Sequence, residues 1–130
     1  MVKLMFCLRR RHDLTRAQFQ EYWRTSHGEL GVASAGALGY RRYVQSHTAD
    51  IALNDSLRAS RGAPEPFDGV VELWFDDTDA IVATFSSPEG RRAAQALLND
   101  ELNFVDLEAS PIFVVQEHVM VEGDVSHSGG

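Results

Sequence analysis

The sequence is short of cysteine and of positive charge. Cys7 is the only cysteine, which excludes an intramolecular disulfide and a zinc site built on several cysteines. It lies in an apolar run, so we expect a buried thiol and not a nucleophile. Twelve basic residues stand against nineteen acidic ones, for a formal net charge of −7. Because nucleic-acid binding depends on Lys and Arg that neutralise phosphates, this balance argues against a nucleic-acid partner.

Long apolar runs are also missing. A membrane-spanning helix needs about 20 apolar residues, and no run approaches that length. The apolar residues 2–8 precede the basic residues 9–11, whereas the charges of a signal peptide come first. We therefore expect a cytoplasmic protein with no membrane association. A chain of 130 residues with average composition fits one domain, predicted over residues 1–122 and followed by a flexible tail at 123–130.

Periodicity predicts the order strand, helix, strand, strand, helix, strand. Alternation of apolar residues predicts four strands, at 2–8, 40–47, 70–75 and 112–121. A capping box at Thr15 and Gln18 opens the first helix, and Gly28 and Gly31 bracket its predicted end. The Gly- and Ala-rich residues 31–39 that follow leave two interpretations open, a loop or a second short helical piece. The segment 49–66 is polar and predicts an excursion with about one helical turn.

Helical signals between the third and fourth strands complete the order. A short helix is predicted up to Phe85, and Ser87 with Pro88 begins another. The resulting βαββαβ order predicts an α+β, ferredoxin-like fold, in which a four-stranded antiparallel sheet carries helices on one face. The other face is too apolar for water. Burying a few hundred Å² of it at about 25 cal/mol/Å² favours a face-to-face homodimer.

His27 is the most informative of the five histidines. It shares a helical face with Phe19, Trp23 and Leu30, which directs its imidazole towards the sheet near the predicted helix end. One interpretation is a structural histidine bonded to a backbone carbonyl. The other is a general acid or base, because imidazole titrates near neutral pH and apolar walls change its pKa.

Two more titratable residues lie in predicted strands. Glu72 stands between Val70 and Trp74, and a carboxylate on an apolar face needs a partner or a raised pKa. His118 lies in the predicted last strand, on the opposite face from neighbouring Glu117. For both residues, hydrogen bonding between sheets or subunits and catalysis remain open. The scattered histidines and the single cysteine predict no metal site.

A series of short motifs runs in order along the chain. They are Phe19-x-x-Tyr22-Trp23-x-x-x-His27, residues 40–45, Phe67-Asp68-Gly69 with Glu72-Leu73-Trp74, Ser87-Pro88, residues 100–106, and Glu117-His118. This ordered set resembles the EthD family of the dimeric α/β-barrel superfamily. The resemblance implies a homodimer whose two sheets face each other and close a barrel, with a pocket between sheet and helices in each protomer.

The resemblance also implies a class of function. Its members and relatives are linked to the degradation of ethers or aromatics and to polyketide tailoring, and some relatives are cofactor-independent monooxygenases. The family's helix and last-strand histidines fall on His27 and His118. We predict an enzyme without metal or organic cofactor that performs dehydration, isomerisation or decarboxylation by proton transfer on a small hydrophobic, oxygenated, cyclic substrate.

Specific residues carry this hypothesis. His27 would be the general acid or base, and Glu72 or His118 would orient it or share its proton. The substrate cavity would be lined by Trp23, Tyr43, Trp74 and Phe67. Three alternatives remain open. They are a non-catalytic accessory protein that binds a hydrophobic metabolite, a cofactor-free monooxygenase and, least favoured, a protein that binds haem through a histidine.

Overall fold

The computed structural model describes residues 1–124. Its strands are β1 (Val2–Leu8), β2 (Arg42–His47), β3 (Gly69–Phe75) and β4 (Ile112–Val115). Its helices are α1 (Arg16–Tyr22), α2 (Gly28–Leu38), α3 (Ala52–Arg61), α4 (Thr78–Ser86) and α5 (Pro88–Glu101). The strands form one antiparallel sheet in the order β2-β3-β1-β4, so the predicted ferredoxin-like α+β fold is confirmed. Most of the predicted tail, 125–130, lies outside the described residues.

The first helical layer is longer than predicted. The capping box at Thr15 forms as expected, but the chain stays helical through a π-helical turn and α2 as far as Leu38. Gly39, with φ of 82°, ends it in the left-handed conformation that glycine tolerates best. Gly28 and Gly31 therefore do not end the helical run, and residues 31–38 form the second helical piece and not the loop. A Cβ at Gly31 would lie 2.6 Å from the Tyr43 ring, so this glycine allows β2 to approach and does not end the helix.

Two further boundaries differ from prediction. The excursion at 49–66 contains a full helix, α3, which is exposed along most of its length and ends at Gly62. The last strand ends at Val115 and not at Val121. β4 pairs with β1 only from Ile112 opposite Phe6 to Val115 opposite Lys3. β1 extends only one residue beyond Lys3, so the residues after Val115 find almost no backbone of β1 to pair with. Alternation of apolar residues without such a partner does not make a strand.

The core consists of two buried clusters on the helical side of the sheet. The first contains Leu8, Phe19, Trp23, Phe104 and Val105, and the second contains Val2, Leu38, Tyr40 and Phe75. The helices thus cover one face of the sheet, while no helix within residues 1–124 packs on the opposite face. Its side chains are Lys3, Met5, Cys7, Arg42, Val44, Ser46, Val70, Glu72, Trp74, Phe113 and Val115.

Gly69 sets the distance between the first helical layer and the sheet. A Cβ at this position would lie 2.5 Å from Trp23 Cη2 and 2.8 Å from the Ser46 carbonyl oxygen. Because Trp23 is fully buried and cannot retreat, we expect Gly69→Ala to lower the free energy of unfolding by about 1–3 kcal/mol. Urea unfolding followed by tryptophan fluorescence measures the change.

Gly36→Ala is the matched control. Gly36 is exposed in α2, and a Cβ there meets nothing within 4 Å. The same substitution should therefore raise the free energy of unfolding by about 0.5–1 kcal/mol, because alanine is the better helix former. Equal stability of the two variants would contradict the close fit of Trp23 on Gly69.

Candidate active site

A cavity of about 230 Å³ lies between the sheet and the helices. Its walls are mainly apolar and include Leu4 and Phe6 of β1, Val71 and Leu73 of β3, and Leu97 and Leu98 of α5. Apart from tyrosines, the ionisable side chains that line it among the described residues are those of His27 and Glu101. Pockets for drug-sized ligands measure about 300–1,000 Å³, so this cavity suits a smaller molecule of one or two rings.

A π-helical turn, Trp23–His27, brings His27 to the cavity. Such turns leave a backbone carbonyl without its usual helical partner and often occur at functional sites. Here the Gln45 side-chain amide of β2 donates to the Trp23 carbonyl oxygen over 2.9 Å. A tertiary contact therefore stabilises the local irregularity, and the imidazole of His27, only 8% exposed, is held at the cavity wall.

His27 is hydrogen-bonded to a carboxylate on its far side. Its Nδ1 lies 2.7 Å from Asp100 Oδ2, and the Tyr22 hydroxyl donates to Asp100 Oδ1 over 2.6 Å. Burial raises the pKa of Asp100, but the hydrogen bonds from Tyr22 and His27 outweigh burial and leave the pKa below its ordinary value. Asp100 is therefore ionised at neutral pH and accepts the bond from Nδ1.

This arrangement defines the tautomer of His27. Burial lowers the pKa of the imidazole below its ordinary value, and the bond to Asp100 only partly opposes that shift. At neutral pH the ring is uncharged and its proton lies on Nδ1, where Asp100 accepts it. Nε2 is then the ring nitrogen with a free lone pair, as a general base requires. Asp100 is a positioning residue, and His27 is the candidate base.

Tyr43 of β2 forms part of the opposite wall. Its hydroxyl oxygen accepts a hydrogen bond from Gln45 Nε2 over 2.6 Å, which leaves the phenolic proton for another acceptor. Burial raises the pKa of Tyr43, so the phenol stays protonated at neutral pH. Tyr43 can therefore donate a hydrogen bond to a ligand oxygen.

The structure brings only two of the seven predicted site residues, His27 and Tyr43, into the cavity wall. Glu72 and Trp74 lie on the opposite face of the sheet, because strand alternation separates them from Val71 and Leu73. There the Lys3 ammonium lies 3.4 Å from Glu72 Oε1 and 4.6 Å from the centre of the Trp74 ring. The proposed sharing of a proton between Glu72 and His27 does not fit this geometry.

The other three predicted residues also lie away from the cavity. Trp23 is fully buried and stacks on His47, with ring centres 4.2 Å apart, so it supports the site from within the core. Phe67 packs against the guanidinium of Arg9 beyond the end of β1. His118 is exposed and lies after β4 has ended, so it does not share a strand face with any site residue.

Sequence analysis missed Asp100 and Glu101 as site residues. A signal for Glu101 exists, since it follows Ala94 and Leu97 at helical spacing and so continues the apolar stripe of α5. No local signal identifies Asp100, whose partner His27 is 73 positions away in the sequence. Tyr22, which donates to Asp100, is also distant from it in the sequence, so no local pattern predicts that hydrogen bond either.

Within residues 1–124 no group of three or more His, Cys, Asp or Glu side chains is arranged to hold a metal ion. In that range, too, no helix combines the length and the hydrophobicity needed to cross a membrane.

Comparison with known proteins identifies the family. A family model described as the EthD domain matches residues 11–108, most of the chain. The chain belongs to the EthD family. This assignment agrees with the motifs noted above, which lie largely within the matched range. No protein of curated function matches the chain significantly.

Solved structures share the fold of this EthD-family chain at low sequence identity. An EthD family protein from Bacillus halodurans is 16% identical, with a TM-score of 0.61 over 91% of this chain and 99% of that one. A dimeric protein of unknown function and ferredoxin-like fold from Bacteroides fragilis is 13% identical, with a TM-score of 0.57 over 89% and 95%. A Deinococcus radiodurans protein, provisionally described as an antibiotic biosynthesis monooxygenase, is 17% identical, with a TM-score of 0.53 over 95% and 100%.

Proposed function

We propose that this protein is an enzyme that transfers protons on a small, hydrophobic, oxygenated cyclic substrate. Membership of the EthD family supports a role in small-molecule metabolism. The observation that carries the proposal is the buried pair of His27 and Asp100 at the wall of an apolar cavity. An imidazole that is neutral at pH 7, oriented by a carboxylate and shielded from water, has the properties of a general base.

The cavity also indicates the kind of substrate. Its walls are mainly apolar, which favours a hydrocarbon ring over a sugar or a phosphate. Among the described residues, no Lys or Arg lines the cavity to bind an anion, whereas Tyr43 can donate to a carbonyl or hydroxyl oxygen. Proton removal next to a carbonyl needs only a base and a hydrogen-bond donor, both of which the chain supplies, so the proposed reaction requires no metal or organic cofactor.

Hydrogen–deuterium exchange tests this function without knowledge of the natural substrate. We expect the protein to accelerate exchange of the acidic C–H protons of α-tetralone, a two-ring ketone, in deuterated water at neutral pH. Proton NMR follows the loss of signal, and heat-denatured protein gives the background. Binding of the ketone without accelerated exchange would favour the accessory binding protein. Consumption of dioxygen with a hydroquinone of the same two-ring skeleton, above the background of heat-denatured protein, would favour the cofactor-free monooxygenase.

We further propose that the protein acts as a homodimer. The sheet face without helices carries Met5, Phe113 and Val115 side by side on β1 and β4, and Phe113 is 46% exposed. This apolar surface is the natural contact for a second copy of the chain, related by a two-fold axis. The similar protein from Bacteroides fragilis is described as dimeric.

Sedimentation tests the dimer. At micromolar concentration we expect about twice the 14.5 kDa mass of one chain. Phe113→Glu, which puts a charge on this apolar surface, should shift the protein to the monomer. Val82→Glu is the matched control, because Val82 is 62% exposed on α4 on the helical side, and this variant should remain dimeric. A monomeric wild type would contradict the proposal.

A further inference from the structure

Glu101 is the second ionisable group of the cavity, and the base described above does not use it. It is the last residue of α5, adjacent to Asp100, and its side chain lines the cavity with His27 and Tyr43. Consecutive helical side chains diverge, so Asp100 reaches the outer side of His27 while Glu101 lies on the cavity side. Among residues 1–124, no side chain or backbone group donates a hydrogen bond to the Glu101 carboxyl.

The surroundings of Glu101 favour its neutral form. Burial and, to a lesser extent, the adjacent charge of Asp100 together raise its pKa to about 7. The titratable side chains next to it or lining the cavity with it are Asp100 on α5, His27 on the π-helical turn, Tyr43 on β2 and Tyr40 just before β2. None of them is a cation at neutral pH. The position at the carboxyl end of a helix, where the dipole is negative, also disfavours an ionised carboxylate.

The cavity therefore contains a candidate base, His27, and a carboxyl group whose neutral form is favoured by its surroundings. Isomerisation needs only one group, which removes a proton and returns it at another carbon. Loss of a hydroxyl group needs two, because hydroxide is a poor leaving group unless a separate acid protonates it as the C–O bond breaks. A neutral carboxyl group beside a neutral imidazole is the combination that this second reaction requires.

We propose that Glu101 is the general acid of the cavity and that the substrate class is the cyclic β-hydroxy ketone, which the protein dehydrates. This inference rests on the proposed function, since it takes His27 as the base. Beyond that function, Glu101 is the acid, the hydroxyl is the leaving group, and the hydroxyl lies on the carbon β to the carbonyl.

The atoms and electrons of the step balance without a further reactant. His27 Nε2 takes a proton from the carbon between the carbonyl and the carbinol carbon, and the C–H electron pair forms the new C=C bond. The C–O bond breaks, and the Glu101 proton goes to the departing oxygen, which leaves as water. Imidazolium and carboxylate remain, and transfer of the proton from His27 to Glu101 through solvent restores the starting state.

Two probes separate the base from the acid. α-Tetralone reports proton removal alone through its exchange in deuterated water. Its β-hydroxy derivative reports elimination, because it loses water to give α-naphthol, whose fluorescence is measured directly. We expect Glu101→Gln to lower the ratio of the elimination rate to the exchange rate about 10²–10⁴-fold relative to the wild type. Glu101→Asp, which keeps an acid, should recover part of the elimination, and Glu122→Gln, an exposed glutamate, should not differ from wild type in either reaction.

The pH profiles give an independent readout. Elimination should fall above about pH 7 as Glu101 ionises, whereas exchange should not, and Glu101→Gln should remove that alkaline limb. Wild-type exchange without elimination would overturn this inference and leave the proposed function standing. Equal loss of exchange and elimination in Glu101→Gln, or elimination at the wild-type rate, would also overturn it. Absence of both reactions in the wild type would overturn this inference together with the proposed function.

Discussion

Replacing His27 with glutamine is expected to lower the α-tetralone exchange rate about 10²–10⁴-fold while the protein still folds and binds the ketone. Glutamine has a similar reach and its amide can still donate to Asp100, so the hydrogen bond at the outer side of the site can be kept. It cannot exchange a proton near neutral pH. Proton NMR measures the rate, circular dichroism the fold, and quenching of tryptophan fluorescence the binding.

His12→Gln is the matched control for this result. His12 is exposed in the turn after β1, so its loss should leave the exchange rate unchanged and exclude general catalysis by surface imidazole. Full exchange in His27→Gln would show that His27 is not the base. Unfolding of His27→Gln would instead support the structural interpretation, in which loss of the imidazole costs more than the roughly 1–2 kcal/mol of one buried hydrogen bond.

The second large effect concerns stability. The pKa of Glu101 is raised by burial from 4.5 to about 7, so between these values the folded chain binds more protons than the unfolded chain. The free energy of unfolding must then fall as the pH rises through this range. Glutamine carries no proton to lose, so we expect Glu101→Gln to be more stable than wild type by about 3 kcal/mol at pH 8. At pH 5 the difference should shrink to less than about 1 kcal/mol.

Urea unfolding at the two pH values measures this linkage. Glu122→Gln is again the matched control, and because Glu122 is exposed its substitution should change the free energy of unfolding by less than about 0.5 kcal/mol at either pH. A difference between Glu101→Gln and wild type that does not depend on pH would mean that the Glu101 carboxyl titrates as it does in the unfolded chain. A gain in stability with a loss of elimination would show that activity at this position is not lost through misfolding.

Features that depend on neighbouring residues were predictable from the sequence. The capping box at Thr15 and the alternation in β1 and β3 are local patterns, and they gave the element order and hence the fold. The placement of His27 on a buried helical face follows from the same kind of pattern. The predicted helix end at Gly31 failed because a glycine that ends a helix and one that admits the Tyr43 ring look alike in a sequence.

The composition of the site was decided by tertiary structure. Alternation correctly separates Glu72 from Val71, but it does not say which of the two faces the helices cover. That depends on how the helices pack, and they pack on the face opposite Glu72 and Trp74, so these two side chains lie away from the cavity. Asp100 and Glu101 entered the site because the end of α5 packs against the π-helical turn, which is distant in sequence. The sequence by itself thus determined the fold and one catalytic candidate. Only the packing of distant elements brought His27, Asp100 and Glu101 together, because contacts between distant residues leave no periodic signal in the chain.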